Sequence, residues 1–202
     1  SQMLASVGRL KESLRLREQL RTLEPFVPIY NTNTAAIMQL NGQYAASISI
    51  LEGVPTESLV SLTRNSSLAR AYAAAGRYAD AADTLLLIKS NQVSRKSVED
   101  AAQLLRQVPE KTSRPQELPK LEGGLDFVYA YVGAPDRLLD FPEHSLEIGY
   151  VAYAAVGPLW LPEYAPVRKT ERFKAFVRKT GLVDYWRARG WPDLCRPMGA
   201  DD

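Results

Sequence analysis

The sequence predicts an all-α fold built as a stack of helical hairpins, and three observations predict it. First, Gly42-Gln43-Tyr44-Ala45 returns as Gly76-Arg77-Tyr78-Ala79, a displacement of 34 residues (76 minus 42), which is the period of a helix-turn-helix solenoid repeat. Second, each of these glycines stands between an apolar run (35–40 and 68–75) and an Ala/Leu-rich run (45–51 and 79–88). Each therefore reads as the turn between two antiparallel helices. Third, a further step of 34 residues back lands on Gly8, followed by Arg9-Leu10-Lys11-Glu12-Ser13-Leu14. Leu125, Tyr129 and Gly133, spaced as Leu68, Tyr72 and Gly76, add a degenerate copy.

The elements follow in order. Residues 1–7 read as the tail of a truncated helix whose start would lie upstream, so Ser1 is expected to fall inside a repeat of a longer protein. Residues 9–23 form its partner, with Leu10, Leu14, Leu16, Leu20 and Leu23 as the apolar stripe and mixed charge on the other face. Pro25 and Pro28 end it. The next helix is expected to start near residues 31–33, where asparagines suit an N-cap, and to run to Leu40. Its partner spans 44–51 and ends at Gly53 and Pro55. Thr56 or Ser58 is expected to cap a helix reaching Ala75, whose partner spans 78–89. An amphipathic helix over 97–108 is expected to use Ser97 as its cap, and the Pro-rich stretch after it, through Pro119, reads as a loop.

Beyond the loop, 125–132 reads as an aromatic-rich helix, Pro142 cuts off a short helix that follows Gly133, and 150–156 reads as a small-and-aromatic helix stopped by Gly157-Pro158. The stretch 159–197 holds all three tryptophans and one helix between Thr170 and Thr180, read as an aromatic cap over the open end of the stack.

These residues resemble the tetratricopeptide repeat family. The clearest copy is Leu68-Ala69-Arg70-Ala71-Tyr72-Ala73-Ala74-Ala75-Gly76-Arg77-Tyr78-Ala79-Asp80-Ala81-Ala82-Asp83-Thr84-Leu85: a large-small pair, an aromatic, a turn glycine, a tyrosine two residues on, and the small Ala81 where the helices cross. Small residues let helices approach and large ones fill the groove beside them. The resemblance implies a right-handed superhelix with a C-terminal helical cap: repeats over 1–108, a loop over 109–120, and degenerate repeats with the aromatic cap over 121–202, in one continuous structural domain. It also implies a concave groove, faced here by Thr32, Ala36, Gln39, Ser66, Arg70, Ala73, Phe127 and Tyr131. Members that clamp a carboxylate place several cations on this face, whereas only Arg70 is cationic here, so an apolar or extended peptide, or a segment of the same polypeptide, fits better.

Trp160, Pro162, Ala165-Pro166-Val167-Arg168, Arg172-Phe173-Lys174, Gly181-Leu182-Val183-Asp184-Tyr185-Trp186 and Gly190-Trp191-Pro192-Asp193 resemble the C-terminal end of bacterial multidomain signalling proteins. In those, a tetratricopeptide region follows a class III nucleotidyl cyclase or a winged-helix DNA-binding domain. The resemblance implies a regulatory module of a larger protein, acting through a protein or peptide partner or an upstream domain of its own chain. A small-ligand sensor near the aromatics of 127–153 and a dimerisation module are the alternatives.

Composition narrows the chemistry. At 202 residues, with 46% hydrophobic and 24% charged residues, the chain has the make-up of a globular protein. Its net charge of +2 argues against whole-molecule nucleic-acid binding. A single cysteine, Cys195, forms no internal disulfide or thiolate cluster, and a single histidine, His144, forms no histidine metal cage. With no phosphate loop and no paired apolar-buried carboxylates, no catalytic site, cofactor or metal is expected. The run Arg168-Lys169, Arg172, Lys174, Arg178-Lys179, Arg187 and Arg189, against Glu171 and Asp184, is the strongest charge feature. A solvated face or docking to an acidic neighbour is expected of it, rather than nucleic acid or membrane. A cytoplasmic setting is expected, or a periplasmic one if a membrane anchor precedes the module.

Overall fold

Three glycine turns set the path of the first half of the chain. In a computed structural model, which describes residues 1–56, 60–108, 115–149, 153–197 and 199, Gly8, Gly42 and Gly76 have φ of +81°, +73° and +74°. Only glycine takes that left-handed conformation without strain. Each turn closes its helix with the same pair of bonds. The glycine N–H donates to the carbonyl of Ala5, Gln39 or Ala73, and the next N–H donates to that of Leu4, Met38 or Tyr72, every partner displaced by 34 residues. These are the two bonds of a Schellman cap.

The turns divide the stack into α1 (Gln2–Ser6), α2 (Leu10–Leu23), α3 (Pro28–Leu40), α4 (Tyr44–Glu52), α5 (Ser61–Ala74), α6 (Tyr78–Leu86) and α7 (Arg95–Gln107). Each packs on the next, and α3 also touches α5. Ser13, Ser47 and Ala81 occupy one repeat position and are all fully buried, so a small side chain stands at each close approach.

Several boundaries differ from the sequence reading. α3 starts at Pro28, not at the asparagines, because a proline at N1 gives up only an N–H that has no intrahelical partner. α6 ends at Leu86 and α7 starts earlier than expected. Ser94, not Ser97, caps α7, its Oγ accepting from Ser97 N at 3.2 Å, which frees Ser97 Oγ to accept from Glu122 N at 2.9 Å. Val60 is the N-cap residue of α5, without a side-chain cap bond. Ser58, expected as a cap, and most of the Pro-rich loop, residues 109–114, lie outside the described residues.

The second half is made of shorter pieces. Asp126–Ala130 is a 3-10 helix, not the expected α-helix, yet Ala134 N donates to Tyr129 O as Arg77 N does to Tyr72 O, and Gly133 has φ +71°. The degenerate copy thus keeps the turn and loses the helix. A second 3-10 segment, Pro135–Leu139, runs into α8 (Asp140–Glu147), which Pro142 does not cut off, because it lies in the first turn. Then come α9 (Tyr153–Val156), 3-10 segments Gly157–Trp160 and Pro162–Tyr164, α10 (Ala165–Arg168), α11 (Glu171–Lys179) and α12 (Leu182–Arg189). α11 lies between Thr170 and Thr180 as expected, and Thr170 caps it, accepting from Phe173 N at 3.2 Å.

All regular structure among the described residues is helical. One apolar core runs unbroken from Ala5 to Trp186. No helix among the described residues is long and apolar enough to cross a membrane.

Candidate functional site

The chain after α7 does not simply extend the stack: it returns to α1. The C-terminal end of a helix leaves carbonyls without intrahelical partners, and here three successive ones are claimed by the tail. Trp160 Nε1 donates to Ser6 O at 3.2 Å, Trp186 Nε1 to Val7 O at 2.9 Å, and Asp193 N to Gly8 O at 3.0 Å. In the other direction, Lys11 N, in the first turn of α2, donates to Asp193 Oδ2 at 2.9 Å. Arg9, the N-cap residue of α2, makes no side-chain cap bond there; its guanidinium donates to Arg189 O. Asp193 therefore caps a helix that precedes it by 182 residues. The indoles pack together around this seam, Trp160 edge-on to Trp186 with centroids 5.9 Å apart and Trp186 tilted against Trp191 at 6.0 Å.

Between the start of α4 and the 3-10 segment after the loop, the same tail delivers a carboxylate. Glu163 accepts hydrogen bonds from the hydroxyls of Tyr44, at the start of α4, and Tyr131, the latter at 2.9 Å. Burial first, and then the adjacent carboxylate, push both tyrosine hydroxyls far above their ordinary range, so they remain neutral donors. Tyr164 is 2% exposed and its hydroxyl has no hydrogen-bond partner among the described residues. Burial likewise raises it, and raises Asp126, with Arg70 opposing both.

The residues expected to face a groove divide into two groups. Thr32, Gln39, Ala73 and Phe127 are buried, while Ala36, Ser66, Arg70 and Tyr131 are half-buried. Gln39 is a buried tie across three helices: its Nε2 donates to Ser47 Oγ at 2.8 Å and to Ser67 O at 2.9 Å, and its Oε1 accepts from Arg70 Nε at 2.7 Å. Ser66 bonds back to Leu62 O on its own helix. Phe127 and Tyr131 meet edge-to-face at 6.4 Å, and Tyr131 meets Tyr78 at 5.9 Å. Among the aromatics of the proposed sensor region, Tyr129 donates to Pro119 O at 2.6 Å and accepts from Leu121 N at 3.0 Å, which pins the end of the loop. The side chain of Tyr153 lies outside the described residues. Glu163 was not singled out by sequence, and Tyr44 was read only as part of the repeated turn motif, since nothing local to either residue reports on the other.

The outer side of the tail carries an open cleft of about 890 Å³ between α10, α11, α12 and residues 191–197. Phe173, Val177, Trp186 and Trp191 form its floor, and Arg168, Lys169, Lys174, Arg178 and Arg196 its rim. The basic run of the sequence is thereby split. Arg168 is held in place by donating to Leu159 O at 2.7 Å and Leu161 O at 2.8 Å. Arg172 turns away to α8, where it pairs with Glu143 and Asp140, each at 2.9 Å. Arg187 pairs with Asp184 at 3.5 Å. Cys195 lines the cleft, and burial pushes its thiol up, with Arg168 opposing. His144 is exposed on α8, its Nδ1 3.8 Å from Glu147.

Among the described residues there is no acidic, histidine or cysteine cluster fit to hold a metal. The chain matches no family model, no curated protein and no solved structure.

Proposed function

We propose that this chain is a non-catalytic protein-interaction module: a tetratricopeptide-like stack whose inner face holds the chain's own C-terminal segment, and which regulates domains attached to it. The observation that carries this reading is the grip on that segment, three carbonyls at residues 6, 7 and 8 on one side and Glu163 between Tyr44 and Tyr131 on the other. A stack that holds an internal peptide leaves that peptide's outer surface, the cationic cleft, to a partner. Regulation then follows from differential binding: a partner that prefers one seating of the segment shifts an equilibrium felt by an attached domain.

The test is panning the full chain against an unbiased peptide-display library and measuring the enriched peptides by calorimetry. One-to-one binding in about the micromolar range is expected, near −8 kcal/mol. A library that yields nothing above background refutes the reading.

A second reading, self-association, has one observation in its favour. Phe26 is 93% and Leu23 79% exposed, side by side at the turn between α2 and α3. Light scattering that shows a dimer, converted to a monomer by Phe26→Ser, would establish it, and a monomeric native chain removes it.

A further inference from the structure

The walls of the C-terminal cleft specify a partner. Among the described residues that line it, five side chains are cations and one, Asp193, is a carboxylate, in a chain whose whole net charge is only +2. That one carboxylate already accepts from Lys11 N. Cations thus outnumber carboxylates along the described lining, whereas Arg172, next to it in sequence, faces Asp140 and Glu143 on α8. The floor is apolar, with Val177 buried and Val183 and Trp191 half-buried. An inorganic anion or a sugar phosphate would leave such a floor unused.

We infer that the cleft docks an acidic amphipathic peptide, with apolar side chains on Val177, Val183 and Trp191 and carboxylates against Lys169, Lys174 and Arg196. The inference rests on the reading of the chain as an interaction module and names the partner of that surface. Lys169 and Arg196 are exposed, and the Lys174 pair with Glu171 is a surface pair that exchanges at little cost. Helix-in-groove docking uses this combination of an apolar face and matching flanking charge.

Two other anionic partners fit less well. Stacking of nucleic-acid bases needs free aromatic faces. Phe173 and Trp186 are buried, Trp186 is bonded to Val7 O, and Trp191 leans on Trp186. A bilayer surface is met by a protruding apolar face, whereas this surface is concave.

The experiment uses the full chain and three synthetic peptides of about 15 residues. One carries leucine at helical spacing with glutamate between, one replaces glutamate by glutamine, and one replaces leucine by serine. Fluorescence anisotropy and tryptophan emission read binding. The acidic amphipath should bind one-to-one, at least about tenfold tighter than either counterpart, and weaken as salt rises from about 50 to about 300 mM. Lys169→Glu with Arg196→Glu, both exposed, should cost at least about tenfold without moving the thermal midpoint, and the bound peptide should slow alkylation of Cys195.

Equal binding of the glutamate and glutamine peptides overturns the inference, as does binding that is indifferent to the double charge reversal. If a neutral or basic peptide occupies the cleft and the acidic one does not, this inference fails while the interaction-module reading stands. If no peptide of any kind binds, both fail. Anionic phospholipid vesicles or single-stranded DNA binding with the same Lys169/Arg196 dependence, and displacing the peptide, reassign the cleft and overturn the inference.

Discussion

Replacing Gly8 by alanine tests whether the tail is seated on the first turn, because the same replacement at Gly76 serves as its internal reference. The two glycines share their turn, with φ of +81° and +74°. Alanine in that region costs about 1–2 kcal/mol at either site. The surroundings differ. A Cβ on Gly76 meets nothing within 4 Å, whereas a Cβ on Gly8 would stand 2.5 Å from Pro192 Cβ and 3.2 Å from Trp160 Cζ2. Neither neighbour is the loose end of a flexible chain, so the seam must open or the turn must shift, and overpacking of this kind costs about 1–3 kcal/mol more. Gly8→Ala should therefore lose about 2–5 kcal/mol and Gly76→Ala about 1–2 kcal/mol. For a chain of this size that separates their thermal midpoints by about 2–12 °C. Urea titration followed by tryptophan emission reads both losses, and the emission of Gly8→Ala should shift as Trp160 and Trp186 gain water. Stabilities of the two variants agreeing within about 0.5 kcal/mol would show that residues 186–193 do not rest on this turn.

Three other perturbations probe the interior. Unfolded tyrosine loses its proton near pH 10, while Tyr44 and Tyr131 stay protonated in the fold, so above that pH the unfolded chain binds fewer protons and stability falls as pH rises. The slope should be at most about 1.4 kcal/mol per pH unit for each hydroxyl, less for the better-solvated Tyr44. Tyr44→Phe with Tyr131→Phe should flatten the urea midpoint between about pH 10 and 11.5, and an unchanged slope would remove the two hydroxyls as its cause. Gln39→Ala takes from the buried Ser47 Oγ and from Arg70 Nε the partner that Gln39 supplies and should cost about 2–4 kcal/mol, with peptide binding unaffected. A loss below about 0.5 kcal/mol would mean that the tie across α3, α4 and α5 carries no weight. Finally, burial of the Cys195 thiol should make iodoacetamide alkylation at neutral pH about tenfold slower than that of free cysteine, and a rate equal to free cysteine contradicts the described position.

The helical hairpins were legible because their information is local. Each glycine turn is written within about ten residues, and α2 through α6 fall close to where periodicity puts them. Caps were less legible: Ser94 and Ser97 both suit the start of α7, and the choice between them is made by Glu122 N, which needs Ser97 Oγ. The return of the tail was not legible at all. Trp186 and Val7 are 179 residues apart, and the pair Tyr44 and Glu163 are 119 apart, so no pattern in either segment reports on the other. The tryptophans did announce an apolar contact, and the cap reading drew on that, but a cluster of aromatics carries no address. The basic run was visible as composition only. That Arg172 leaves it for α8 while Lys169 and Lys174 line the cleft depends on which way α11 faces.

The seam between residues 8 and 193 also bears on how the protein is made. Gly8 O and Lys11 N, in the first turn of α2, find their partner only after Asp193 has been synthesised. At about 5–20 residues per second, the intervening 185 positions (193 minus 8) take about 10–40 s. For that interval the turn at Gly8 lacks the aspartate that caps α2, so the α1–α2 hairpin is completed only once the tail has been made.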